Sequence, residues 1–167
     1  MKPNEPTASE AFWQFSLSFY CLNGVEQALL MLQDTYGLDI NCLLYAYWHG
    51  SSGRGAIGKL EWQALQASIG GLGDHVGELR ALRKEAKLLA IPAYYQALKD
   101  AELAGEKAIQ QRLAQQARQI NKQSDRLAAI QKSLTAYLEM AHRVMPPATT
   151  QLLEALAQQA VQMDGAG

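Results

Sequence analysis

The sequence predicts an all-α protein: a single-domain bundle of about six to eight helices over 1–167, with 1–8 and 164–167 as flexible ends. Three observations predict it. Apolar residues recur at steps of three and four along most of the chain. The breaks between these stretches fall on Gly and Pro. The segment from Phe12 to Trp48 gathers most of the large aromatic side chains with almost no charge, the composition of a buried helical core.

The elements follow in order. Thr7 with Glu10 forms a capping-box pattern ahead of an apolar face built from Phe12, Trp13, Phe15, Phe19 and Tyr20. The alternation from Phe15 to Phe19 also suits a strand. Helix is preferred because Gln14, Ser18 and Cys21 then share one side. Asn23-Gly24 stops this helix, and a second runs from about Val25 to the Gly37 stop. Asp39 caps a third, Ile40 to Trp48, which is apolar nearly all round and belongs in the middle of the bundle.

A glycine-rich loop, Gly50 to Gly58, leads to a short helix from Leu60 to Ile69. After Gly70-Gly71-Leu72-Gly73, Asp74 is expected to cap a fifth helix ending near Ala90. Ile91-Pro92 is the next boundary, because the residue before proline is pushed out of helical geometry. A stripe at Leu98, Ala101, Gly105, Ile109, Leu113, Ala117 and Ile120 predicts one long helix with a pause near Asn121–Ser124. A second stripe runs from Leu127 to Ala141 and ends at Pro146-Pro147. Thr149-Thr150 then open a last helix with Leu153, Leu156 and Ala160 inward.

Composition excludes some classes of function. A hydrophobic fraction of 49% and a charged fraction of 19% rule against wholesale disorder. A net charge of -1 removes any global pull toward nucleic acid or anionic membrane. Cys21 and Cys42 sit in apolar surroundings with no CxxC or His partner, so they read as reduced thiols. The polar start of the chain does not read as a signal peptide, and no apolar run has the ~20 residues a bilayer requires. The expectation is a cytoplasmic protein with no membrane contact.

Three motifs bear on chemistry. Gly53-Arg54-Gly55-Ala56-Ile57-Gly58-Lys59 matches the first part of a phosphate-binding loop, but Leu60 stands where the magnesium-holding Ser or Thr belongs. No strand precedes it, so it reads as an interhelical loop, with a residual anion site at Arg54 and Lys59. Arg80, Arg83, Lys84 and Lys87 share one face of the fifth helix, either a solvated face or a candidate binding patch for phosphate or an acidic surface. Gln33, Asp34 and Asn41 form a candidate polar cluster across the Gly37 turn, since a lone Asn in an apolar helix needs partners. Asp34, Asp39, His49, Asp74, His75 and Glu78 lack metal-ligand or nucleophile spacing, so no metal, cofactor or catalytic residue is predicted.

FWQFSLSFY, LQDTYGLDINCLLYAYW, LRALRKEAK and YYQALKDAEL together resemble a small bacterial conserved-hypothetical family, a domain of unknown function. Its pattern opens FW-x-FSL-x-FY and continues LQD-x-x-G-x-D-[VI]-N-x-LL. The resemblance runs from Phe12 to about Glu106. Its signature falls on Phe12, Trp13, Tyr20, Gly24, Gln33, Asp34, Gly37, Asp39, Asn41 and Trp48, and its basic motif on Leu79, Arg80, Arg83 and Lys87. The glycine-rich loop is not part of the pattern. Asp74-His75 and Glu78 stand where a tryptophan and a proline are expected. The resemblance implies a soluble helical protein and carries no activity or cofactor. The resulting expectation is a non-enzymatic interaction module with a protein partner. The alternatives are polyanion binding through the basic face and an enzyme with an unrecognised helical active site.

Overall fold

The computed structural model describes residues 5–165 and contains eight helices and no strand among them. Residues 1–4 and 166–167, parts of the two ends expected to be flexible, lie outside the described residues.

Helix α1 (Ala8–Tyr20) opens on the capping box, with Thr7 N–H donating to Glu10 Oε2 at 2.8 Å and Glu10 N–H to Thr7 Oγ1 at 3.2 Å. The Phe15–Phe19 alternation is therefore helical. Helix α2 (Val25–Tyr36) ends at Gly37, whose φ of 66° is the left-handed conformation that favours glycine. The chain then turns directly into α3 (Ile40–Ser51), where Cys42 N–H donates to Asp39 Oδ1 at 3.1 Å.

Every residue from Asn41 to Ser51 is buried, so α3 is the central helix. Phe12 stacks on Trp48 with ring centroids 5.0 Å apart and meets Tyr45 edge-on at 5.4 Å. Burying a side chain of Leu or Phe size contributes roughly 1.5–3 kcal/mol, and this core holds Phe12, Phe19, Leu29, Leu32 and Leu43 at full burial. Gly50 lets α7 approach: a Cβ there would stand 2.9 Å from the Ile130 backbone nitrogen.

Helices α4 (Lys59–Ile69), α5 (Leu72–Leu89) and α6 (Pro92–Ala114) follow. Asp74 is not the cap of α5, which already begins at Leu72; Asp74 lies inside its first turn, where a carboxylate favours the exposed N–H groups. Ile91 is extended and Pro92 opens α6, as proline chemistry requires.

The apolar stripe overstates α6. Ala101 is exposed, the helix stops at Ala114, and Ile120 is 57% exposed beyond it. The chain leaves the helix there because it is stitched to the glycine-rich loop, with Asn121 N–H donating to the Gly53 carbonyl at 2.7 Å.

Asp125 caps α7 (Arg126–Met140), and α8 (Pro147–Gly165) begins on its own proline, earlier than the Thr149-Thr150 start. It also continues through Asp164 and Gly165, two of the residues expected to form a loose end. Hydrogen bonds fasten both helices to the body. Trp62 Nε1–H donates to the Ser133 carbonyl at 2.9 Å, and Tyr36 and Thr149 hydroxyls meet at 3.0 Å. No described helix is long and apolar enough to cross a membrane.

Candidate functional site

Helix α5 packs almost solely against α6, and the two form an antiparallel arm. Only Val76 and Ala86 of α5 are buried. The second half of α6 enters the body through Ile109, Gln110, Leu113 and Ala114, whereas its first half buries only Glu102. The distal arm is thus a two-helix layer without a core beneath it. Close contact compensates at its base, where a Cβ on Gly105 would lie 2.5 Å from Val76 Cγ2.

The arm holds the four basic residues predicted as a patch, and it divides them. Lys84 and Lys87 are exposed. Arg80 and Arg83 are only partly exposed and turn into the seam, against the expectation of a largely exposed basic face. Arg80 Nε donates to Glu102 Oε1 at 3.1 Å and its Nη2 to Glu106 Oε1 at 3.1 Å. Arg83 Nε donates to Glu102 Oε2, and Nη2 to Oε1 at 3.4 Å.

The cause is electrostatic. Glu102 is only 7% exposed, and a buried carboxylate without a cation would be costly. Burial raises the Glu106 pKa while Arg80 opposes that shift, and the hydrogen bond to Glu102 raises the Arg83 pKa. Glu102 and Glu106 escaped the sequence reading, yet they left a signal. The arm folds back at Ile91, and Arg80 and Glu102 stand equally far from it along the chain.

The arm's end carries the opposite chemistry. From Leu88 to Leu98 no residue is charged. Leu88 is 87% exposed, Leu89 62%, Ile91 53% and Tyr94 42%. Lys84, Lys87 and Lys99 are exposed beside this segment. In the sequence Ile91-Pro92 marks a boundary, and the uncharged run around it is the signal that points to this exposed surface.

The predicted polar cluster is rearranged. Asn41 is buried, but its partner is Gln110, whose Nε2–H donates to Asn41 Oδ1 at 3.1 Å while its Oε1 accepts from Ser16 Oγ at 3.2 Å. Asp34 is exposed and Gln33 half-buried, and neither side chain joins this chain of bonds. Asn41 finds its partner on α6 rather than across the Gly37 turn, and α1 joins the network only through Gln110. The Gln110 amide is engaged at both ends, so the network serves packing.

Four amides of the glycine-rich loop are spent internally. Gly53 N–H donates to the Gly50 carbonyl, Arg54 N–H to the His49 carbonyl, Ile57 N–H to Ser133 Oγ and Gly58 N–H to Glu61 Oε1. The element before it is α3, a helix. The strand that precedes a phosphate loop is absent, and these four amides are already engaged. Among the described residues no three His, Cys, Asp or Glu side chains come together as a metal ion would require.

The family model matches residues 11–113, from the first core aromatics through the return helix of the arm. This chain belongs to the family described as a protein of unknown function, DUF2390. The DUF2390 span thus takes in α1 to nearly the end of α6 and stops short of α7 and α8, although these two helices cover one side of α3. No curated protein and no solved structure gives a significant match.

Proposed function

We propose that this DUF2390 protein is a non-enzymatic cytoplasmic docking module that engages a larger protein through the end of its α5–α6 arm. One observation carries the reading: the uncharged segment Leu88–Leu98 exposes Leu88, Leu89, Ile91 and Tyr94 together. Contiguous exposed apolar surface is a mark of an interaction site. Its removal from water on docking contributes roughly 25 cal/mol per Å². Lys84, Lys87 and Lys99, interleaved with the exposed Glu85 and Asp100, give the patch a mixed polar rim. Polyanion binding is the weaker reading, because two of the four basic side chains are already neutralised by Glu102 and Glu106.

The test places a photocrosslinker at Leu88 in one sample and at Val144, which is 95% exposed in the α7–α8 connection, in another. A single partner protein should be captured from the native cell at Leu88 and not at Val144. The complex, reconstituted from that purified partner, should survive high salt and be lost in the Leu88→Asp/Tyr94→Asp variant. Binding that disappears with salt and depends only on Lys84 and Lys87 would replace this reading with polyanion recognition. Sedimentation with anionic lipid vesicles that needs the same apolar residues would replace it with membrane docking.

A further inference from the structure

A second concave surface lies away from the arm tip, where α1, the C-terminal end of α3, the glycine-rich loop and the end of α8 meet. It is a groove of about 420 Å³, within the range of small-molecule sites. Phe15, Trp48 and Met163 supply apolar wall; Gln14, Arg54 and Asp164 supply polar groups.

Arg54 is held in one orientation. Its guanidinium lies over the Trp48 ring at 4.7 Å from the centroid, and its Nη1 donates to the Arg118 carbonyl. That leaves the edge formed by Nε and Nη2, which in arginine pairs with a carboxylate through two parallel hydrogen bonds. Among the described residues nothing accepts from this edge, and Nε is buried. Arg80, Arg83 and Arg118 each contact a glutamate, but no described carboxylate lies within ion-pair distance of Arg54. Burial accordingly lowers the Arg54 pKa. Native folds seldom leave a buried donor idle, least of all a charged one.

Asp164 lines the same groove and accepts from Ser51 Oγ. Its charge limits the occupant, since a dianion would be repelled more than a monoanion. Lys59 does not line the groove, so the anion reading of the glycine-rich loop passes to Arg54. We infer that the groove binds a small monoanionic carboxylate with a flat apolar body. The carboxylate pairs with the free edge of Arg54, and the body lies along Met163 and the narrow edges that Trp48 and Phe15 leave open to the groove, the Trp48 ring being covered by Phe12 and Arg54. This site is independent of the arm.

The probe is 2-naphthoate, compared with the neutral 2-naphthalenemethanol and with inorganic phosphate, titrated into the full chain and followed by amide and indole NMR. Naphthoate should shift the indole signal of Trp48, whose edge lines the groove, and leave unmoved that of Trp62, which packs against α7. The neutral analogue should bind about tenfold more weakly or worse, and phosphate should give no shift at Trp48. Arg54→Gln should lose binding by a similar factor. Because that variant also loosens the loop, Ser18→Trp provides a second arm: Ser18 is exposed on α1 at the groove, so the indole blocks the site without entering the core. A peptide ending in phenylalanine with a free carboxylate, run alongside, separates a chain-end ligand from a free acid by which binds tighter. Equal binding of naphthoate and its neutral analogue would overturn the inference. So would naphthoate binding unchanged in both variants, or no binding of either carboxylate at millimolar concentration.

Discussion

Arg80 Nε lies 3.1 Å from Glu102 Oε1, and this contact turns the basic residues of α5 from a binding face into the seam of the arm. Glu102 also accepts from Arg83, so one buried carboxylate is shared by two guanidinium groups. Arg83→Ala should therefore destabilise the protein by about 1–3 kcal/mol, because a buried charge loses part of its compensation. Lys84→Ala, one residue along, should stay within about 0.5 kcal/mol because Lys84 is exposed. Urea midpoints of the two variants check the contrast. Equal midpoints would mean that Arg83 contributes no more than a solvated lysine.

Gly105 marks the closest approach of α5 to α6. A Cβ there would meet Val76 Cγ2 at 2.5 Å, a side-chain atom on a short β-branched residue with little room to move. Gly105→Ala should cost about 1–3 kcal/mol through overpacking, although alanine is the better helix former. Adding Val76→Ala should recover part of the loss. A double-mutant cycle with no coupling would show that the helices shift apart freely.

The architecture was largely legible because its signals are local. The Thr7–Glu10 box, the Gly37 stop, the Asp39 cap and the Ile91-Pro92 boundary each depend on residues within one turn of one another. The seam was not legible in the same way. Whether Arg83 faces water or Glu102 depends on how α5 and α6 pack, and helical periodicity places charge on a face without saying what the face meets. Asn41 shows the same limit. Its need for partners follows from an apolar helix, but Gln110 lies 69 positions away in sequence. The long stripe through Ile120 misled for a related reason: periodicity continues past Ala114, while the tertiary bond from Asn121 to Gly53 ends the helix.

Asp39 does two jobs at the corner between α2 and α3. Its carboxylate accepts from Cys42 N–H at 3.1 Å, and its own N–H donates to the Tyr137 hydroxyl at 3.0 Å, joining the corner to α7. Asp39→Ala should cost about 0.5–2 kcal/mol through loss of the cap. Tyr137→Phe should cost a further 1–3 kcal/mol, since the Asp39 N–H is then left without its acceptor. Thermal and denaturant unfolding of the two variants and their combination measure both contributions. An unchanged midpoint for Asp39→Ala would remove the cap from the account of this corner.

His49 should make stability fall with acid. It is 1% exposed at the end of α3, with Nδ1 2.9 Å from the Gly55 carbonyl and Nε2 accepting from Arg118 N–H at 3.4 Å. The neutral ring with its proton on Nδ1 satisfies both bonds, and protonating Nε2 breaks the second beside Arg54 and Arg118. Burial lowers its pKa from 6.5 to about 4; the hydrogen bond to the Gly55 carbonyl opposes that shift, and Arg118 and Arg54 each add a smaller lowering pull. The unfolded chain therefore binds a proton that the folded chain refuses between those two values. Stability is fully present above the unfolded value and declines as pH falls through the window from 6.5 to about 4. At 1.36 kcal/mol per pKa unit the total is about 3 kcal/mol. His49→Gln retains a donor and an acceptor but cannot titrate, so it should flatten this part of the stability–pH curve. Urea unfolding of both proteins at half-unit steps between pH 4 and 8 measures the difference. Parallel curves for the two proteins across that range would show that His49 is not the group responsible.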